Sequence, residues 1–232
     1  MRIGVFDSGI GGLTVLKELR NRYPYNDYIY VGDNINLPYG KKSKEEIIRL
    51  SYRIMDFLID KKVDMCVIAC GTISSNAYSE LKEKYNIKIV DIITPIIRYI
   101  KENNIDNVGV FATEATINSH IFKKLLPDIK VYEEACPEFV PLIEGNKILS
   151  KEMEESIAKH LKNIPCNNII LGCTHYPIIE ELIDAETINM GKNIYLYSDT
   201  GNSSCKYYFS YKDEILEKNV YNIVGKVDIE KW

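Results

Sequence analysis

The chain alternates short apolar runs with amphipathic stretches from end to end. Ile3-Gly4-Val5-Phe6 is a short, wholly apolar run, which reads as a buried strand. Residues 13–22 read as a helix with Leu16 and Leu19 facing inward, and 28–31 as a second strand. Ser43 followed three residues later by Glu46 is a capping box, and the helix it opens keeps Ile47, Ile54, Met55, Leu58 and Ile59 on one face. A strand over 63–69, a helix over about 74–85 and a strand over 87–90 complete the set. This β-α-β-α rhythm predicts an α/β fold, with a mostly parallel sheet flanked by helices.

The pattern then restarts. Val108-Gly109-Val110-Phe111-Ala112-Thr113 echoes Ile3-Gly4-Val5-Phe6-Asp7-Ser8 at an offset of 105. Ile169-Ile170-Leu171-Gly172-Cys173-Thr174 echoes Val67-Ile68-Ala69-Cys70-Gly71-Thr72, with the cysteines 103 apart. Two echoes in the same order predict two pseudosymmetric α/β domains. A hinge is expected near Ile93-Thr94-Pro95, since proline suits a helix start. The expected first domain is 1–93 plus 205–232, and the second is 94–204. The segment from about Cys205, rich in tyrosine (Tyr207, Tyr208, Tyr211, Tyr221), is expected to be a helix plus tail that packs back on the first half.

Composition narrows the class. The apolar share of 46% is ordinary for a globular chain, and Asp91 and Arg98 break the longest apolar stretch, so no membrane span is expected. Met1-Arg2-Ile3-Gly4 leads straight into a strand pattern without a signal peptide, which points to the cytoplasm. The formal net charge is −4 with no basic block, which argues against nucleic acid as a partner. Six cysteines in a chain of this kind read as free thiols, and the C-x-x-C spacing of zinc or redox sites is absent. Gly9-Ile10-Gly11-Gly12 has Thr14 where the dinucleotide fingerprint needs its third glycine, and the chain has no G-x-x-x-x-G-K phosphate loop.

In open α/β sheets ligands bind beyond the carboxyl ends of the strands. Asp7-Ser8-Gly9, Cys70-Gly71-Thr72, Thr113 and Cys173-Thr174-His175 all follow predicted strands. If the halves face each other, Cys70 and Cys173 enter one cleft from opposite sides. Inverting an α-carbon needs a base on one face and an acid on the other. A thiol, with a reference pKa of about 8.5, serves in either state when a helix start or proton acceptor helps it. Both cysteines are expected where a helix begins. Asp7 either steers the Cys70 proton or only caps the following helix, and His175 either works with Cys173 or is a satisfied polar residue. Ser8, Gly9, Gly71, Thr72 and Thr174 offer hydroxyls and N–H groups for a carboxylate. Cys66, Cys136 and Cys166 read as small buried hydrophobes.

The motifs together resemble the glutamate racemases of the aspartate/glutamate racemase superfamily over nearly the whole chain. The carriers are the stretch from Ile3 to Val15, Gly32-Asp33 with Pro38-Tyr39-Gly40, Ala69-Cys70-x-Thr72, Ala135-Cys136-Pro137 with Phe139-Val140-Pro141-Leu142-Ile143-Glu144, and Gly172-Cys173-Thr174-His175-Tyr176-Pro177. The resemblance implies two domains with the site in the cleft between them, and interconversion of L- and D-glutamate without pyridoxal phosphate, metal or other cofactor, supplying D-glutamate for peptidoglycan. It implies that Cys70 acts on the D-enantiomer and Cys173 on the L-enantiomer, assisted by Asp7, His175 and Glu144. Substrate contacts are implied at Asp7, Ser8, Tyr39, Gly40, Gly71, Thr72, Thr113, Thr116, Thr174 and His175, and the assembly is expected to be a homodimer. One position departs from the pattern: the family usually carries Asn where this chain has Gly71. The missing amide removes a hydrogen bond to a charged substrate, worth about 1.5–3 kcal/mol.

A relative acting on aspartate or another small acidic substrate is the competing enzyme, and a non-catalytic acidic-ligand sensor is the competing class. Two matched cysteines argue against a single-thiol decarboxylase.

Overall fold

The structure is a computed structural model that describes residues 1–196 and 199–232. Alternation within its strands explains the layering. In β1 (Arg2–Asp7), Ile3 and Val5 point to one core and Phe6 to another. α1 (Gly12–Arg22) leads to β2 (Asp27–Gly32), and a loop with two 3₁₀ turns leads to α2 (Lys44–Asp60). The Ser43 side chain accepts from the Glu46 amide, so the capping box starts α2 as expected. Ile47, Ile54, Met55 and Leu58 are buried on that helix. Ile59 is a correction: it is exposed, because it lies in the last turn on the flank of the buried stripe.

β3 (Met65–Ile68) runs into α3 (Gly71–Lys84), which begins three residues earlier than the expected start at Ser74. β4 (Lys88–Asp91) follows, then α4 (Thr94–Glu102), whose first turn holds Pro95. The second half comprises β5 (Asn107–Ala112), α5 (Glu114–Ser119), α6 (Ile121–Leu125), β6 (Lys130–Ala135), α7 (Phe139–Glu144), α8 (Lys151–Leu161), β7 (Asn168–Leu171) and β8 (Glu186–Asn189). The chain ends in β9 (Cys205–Phe209), α9 (Glu214–Val224) and β10 (Ile229–Lys231).

Two wholly parallel sheets result. One has the order β10-β9-β2-β1-β3-β4 and the other β6-β5-β7-β8. The order β2-β1-β3-β4 is matched by β6-β5-β7-β8, so the sequence echoes correspond to equivalent strands: β1 to β5 and β3 to β7. The C-terminal segment does return to the first sheet, but as a strand, a helix and a strand rather than a helix and tail. Tyr207 and Tyr208 are buried in β9, paired with β2, while Tyr211 and Tyr221 are exposed. Tyr207 and Tyr208 are adjacent and enter the cores on opposite faces of the sheet, and aromatic side chains of this kind suit a strand.

The two sheets share one core. Ile3, Val5 and Val67 of the first sheet, Leu13 and Leu16 of α1, Ile96 and Ile100 of α4, and Val108, Val110 and Ile170 of the second form a single buried cluster. α2 and α3 cover the far face of the first sheet, and residues of α7 and α8 lie in the cluster on the far face of the second. The carboxyl ends of β1, β3, β5 and β7 therefore open onto a common space.

Candidate active site

That space is a cleft of about 620 Å³. Cys70 reaches it from the end of β3 and Cys173 from the end of β7. Ser8, Tyr39, Gly40, Gly71, Thr72, Thr113, Thr174 and His175 line it as well. Three other expected residues do not reach its surface. Asp7 is fully buried behind Cys70, Thr116 lies behind Thr113, and Glu144 backs His175.

The two thiols have different surroundings. Cys70 is the N-cap residue of α3, and its Sγ lies 3.7 Å from the Ser8 hydroxyl. Asp7 stands next to it, its Oδ2 accepting from the amide of Gly12 at 2.7 Å, while Oδ1 has no protein hydrogen-bond partner. Burial raises the Asp7 carboxyl above its ordinary range, against the charge of His175 and hydrogen bonds from the Cys70 thiol and the Gly12 amide. Burial and then the Asp7 carboxylate push the Cys70 thiol well above its usual value. At neutral pH Cys70 therefore carries its proton.

Cys173 instead faces a histidine. Its Sγ lies 3.7 Å from His175 Nδ1, and His175 Nε2 lies 2.8 Å from Glu144 Oε1. Burial opposes a charge on the His175 ring. Hydrogen bonds to Cys173 and Glu144 outweigh it and hold the ring well above the ordinary histidine value, so it is an imidazolium at neutral pH. Cys173 departs from one expectation: a turn and a 3₁₀ stretch (Tyr176–Leu182) follow it, not an α-helix. The imidazolium supplies there the positive field that the start of α3 supplies to Cys70.

Backbone economy brings these groups together. Gly11 is needed because a Cβ there would collide with His175 Nδ1 and the Thr174 hydroxyl. The Thr14 hydroxyl donates to the Thr174 carbonyl at 2.9 Å, tying α1 to the turn that carries Cys173. Opposite, the hydroxyls of Thr72 and Thr113 meet at 2.8 Å, and Thr113 Oγ1 lies 3.0 Å from Thr116 Oγ1. Tyr39 is fixed by donating to Asp33 Oδ2 at 2.8 Å.

Sequence reading missed part of the wall. Cys136, read as a plain buried hydrophobe, lines the cleft with Pro137, Val140 and Pro141, and Leu37, Pro38, Lys41 and Glu114 complete it. The Cys136-Pro137 turn after β6 was a usable signal, since β6 is a fifth strand with its end at this space. Cys66 is buried as expected, whereas Cys166 is partly exposed. Among the described residues, no three His, Cys, Asp or Glu side chains form a metal-binding group.

Residues 14–194 match the Asp/Glu/Hydantoin racemase family. The chain belongs to that family. A glutamate racemase of Hydrogenobaculum is 44% identical over 80% of this chain and 74% of its own length. The glutamate racemase of Aquifex aeolicus is 35% identical over 97% of this chain and 95% of its own. Among solved structures, the Francisella tularensis glutamate racemase in complex with D-glutamate superposes with a TM-score of 0.88 at 32% identity, covering 100% of this chain and 97% of that one. The racemase family relation and the paired cysteine cleft thus coincide in one chain.

Proposed function

We propose that this protein is a glutamate racemase that works with two thiols and no cofactor. One observation carries the reading: Cys70 and Cys173, at the ends of equivalent strands, line the same cleft. In the L-to-D direction the Cys173 thiolate, stabilised by the His175 imidazolium, takes the Cα proton. The resulting carbanion is protonated on its other face by the Cys70 thiol. The charge has then moved from sulfur 173 to sulfur 70, and the starting state returns when Cys70 takes up a proton and Cys173 releases one to solvent. In the D-to-L direction the roles reverse.

The substrate carboxylates are held by N–H groups at the start of α3, from Gly71 and Thr72, and by the hydroxyls of Ser8, Thr72, Thr113 and Thr174. Tyr39 and Gly40 form the near wall, and Thr116 acts by orienting Thr113. Glu144 keeps His175 charged. The product is D-glutamate, the D-amino acid required for peptidoglycan, and the enzyme works in the cytoplasm as a homodimer. No described helix is long and apolar enough to cross a membrane. The two domains are residues 1–93 with 205–232, and 94–204.

The test is solvent deuterium incorporation at Cα, run in parallel on both enantiomers of glutamate and of aspartate. Inversion of glutamate with label uptake is the expected result. Label uptake into aspartate alone would transfer the reading to an aspartate racemase. No uptake into either acid would leave a binding protein.

A further inference from the structure

We propose that Gly71 sets how far the two halves of the cleft close, and hence whether both thiols reach one Cα at the same time. The inference rests on the two-thiol reading above.

Gly71 is the first residue of α3, directly after Cys70, and it lines the cleft. The atoms nearest to a Cβ built there are the Gly172 carbonyl oxygen, the Gly172 carbonyl carbon and Met190 Cε, and the oxygen would overlap it outright. All three belong to the second half of the molecule. The third of them stands at 3.6 Å, which is ordinary contact, so no side chain of the first half crowds this position. The obstruction is backbone against backbone, and no rotamer change relieves it.

Gly172 sits directly before Cys173, as Gly71 sits directly after Cys70. The point where the halves touch is therefore bonded on both sides to the reacting thiols. A side chain at 71 has to push the end of β7 away from the start of α3, and it widens the space between the sulfurs as it does so. The Asn usual in the family cannot stand here at this degree of closure. The chain forgoes a side-chain amide and gains a closer approach of the two proton-transfer groups, and reaction rates respond steeply to such distances.

The full-length chain with Gly71→Ala and with Gly71→Asn tests this. Alanine is a better helix residue than glycine, so α3 itself tolerates the change. Two quantities are read. The first is the ratio of Cα deuterium exchange with retention to exchange with inversion. Thiols held too far apart let the carbanion be reprotonated by the thiol that made it, after that thiol has exchanged with solvent. Gly71→Ala is expected to slow inversion on the order of 10- to 100-fold while exchange with retention falls less, so the ratio rises. The second is backbone amide exchange around 71–74 and 172–175 in the substrate-free protein, expected to be faster in both variants. An unchanged ratio with unchanged amide exchange would overturn the proposal. So would a Gly71→Asn variant that inverts glutamate faster than the parent, since the missing amide would then be the limiting feature. Failure of Gly71→Ala to fold also counts against it, because it would make the contact part of a rigid core. If the unsubstituted chain does not racemise glutamate, the functional reading falls, while the amide exchange still decides the role of Gly71.

Discussion

Cys70 and Cys173 occupy equivalent positions in two similar sheets, yet their surroundings are opposite in charge. Cys70 has a buried carboxylate beside it and holds its proton tightly. Cys173 has an imidazolium beside it, backed by a second carboxylate. The pair is symmetric in geometry and asymmetric in surroundings, with a carboxylate beside one thiol and an imidazolium beside the other. A duplicated fold thus supplies two matched groups, and the neighbours at positions 7, 175 and 144 give them surroundings of opposite charge.

Removing either sulfur is the most severe way to break this comparison. Cys70→Ser and Cys173→Ser should each lower racemisation by roughly 10²–10⁴-fold. They should differ in what survives: Cys70→Ser exchanges the Cα proton of L-glutamate only, and Cys173→Ser that of D-glutamate only. Deuterium uptake into each enantiomer measures this, and identical residual exchange in the two variants would show that the thiols are not face-specific.

Glu144→Gln sharpens the Cys173 side. It removes the charge that holds the His175 proton, so the basic limb of the pH–rate profile should move to lower pH. Activity at neutral pH should fall roughly tenfold to a hundredfold, in line with the loss of a charged hydrogen bond. The two enantiomers are equal in energy, so kcat/KM must fall equally in both directions, and any asymmetry appears in kcat and KM separately. A profile that keeps its shape would remove Glu144 from the proton path.

The same side has a stability signature. The His175 value is raised in the folded protein, so the stabilisation it brings is complete below about pH 6.5 and is lost as pH rises through the folded value. Thermal melts from pH 6 upward should show this loss, and Glu144→Gln should flatten it.

Asp7→Asn probes the other side with a smaller effect on stability and of opposite sense to its effect on rate. The folded Asp7 value is raised, so its favourable contribution is present below about pH 3.9 and disappears as pH climbs through the folded value. At neutral pH the buried charge costs stability. The amide should therefore raise the melting temperature by about 2–4 °C for each kcal/mol relieved, while slowing turnover. The gain should vanish in acid, and a gain that persists there would point to packing instead of charge.

Much of this was legible in the sequence because it depends on local order. Ile3 to Phe6 and Val108 to Ala112 are strands by apolar run alone, and the Ser43–Glu46 cap is set within four residues. The thiol pair could be read because equivalent strand ends repeat at nearly one offset. What stayed hidden depends on contacts distant in sequence. Ile59 looks close to the buried stripe by spacing, but it lies on its flank, and in the last turn of α2 it is Leu58 that is buried. The tyrosines of β9 favour a strand, but which strand they pair with, β2, is set 177 residues away along the chain. Cys136 looked like any buried cysteine until β6 brought it beside Cys173. Gly71 read as a backbone donor to substrate and a missing amide, not as a contact point, since Gly172 lies 101 residues away.

The return of β9 to the edge of β2 has a consequence for biosynthesis. Until residues 205–232 leave the ribosome, β2 presents an open row of backbone donors and acceptors in an otherwise assembled half. Such a bare edge invites pairing with other nascent chains. The strand that seals it follows the whole of the second half in chain order, so the edge stays bare while β5 to β8 are made and this protein is most exposed to misassociation when most of its catalytic cleft already exists.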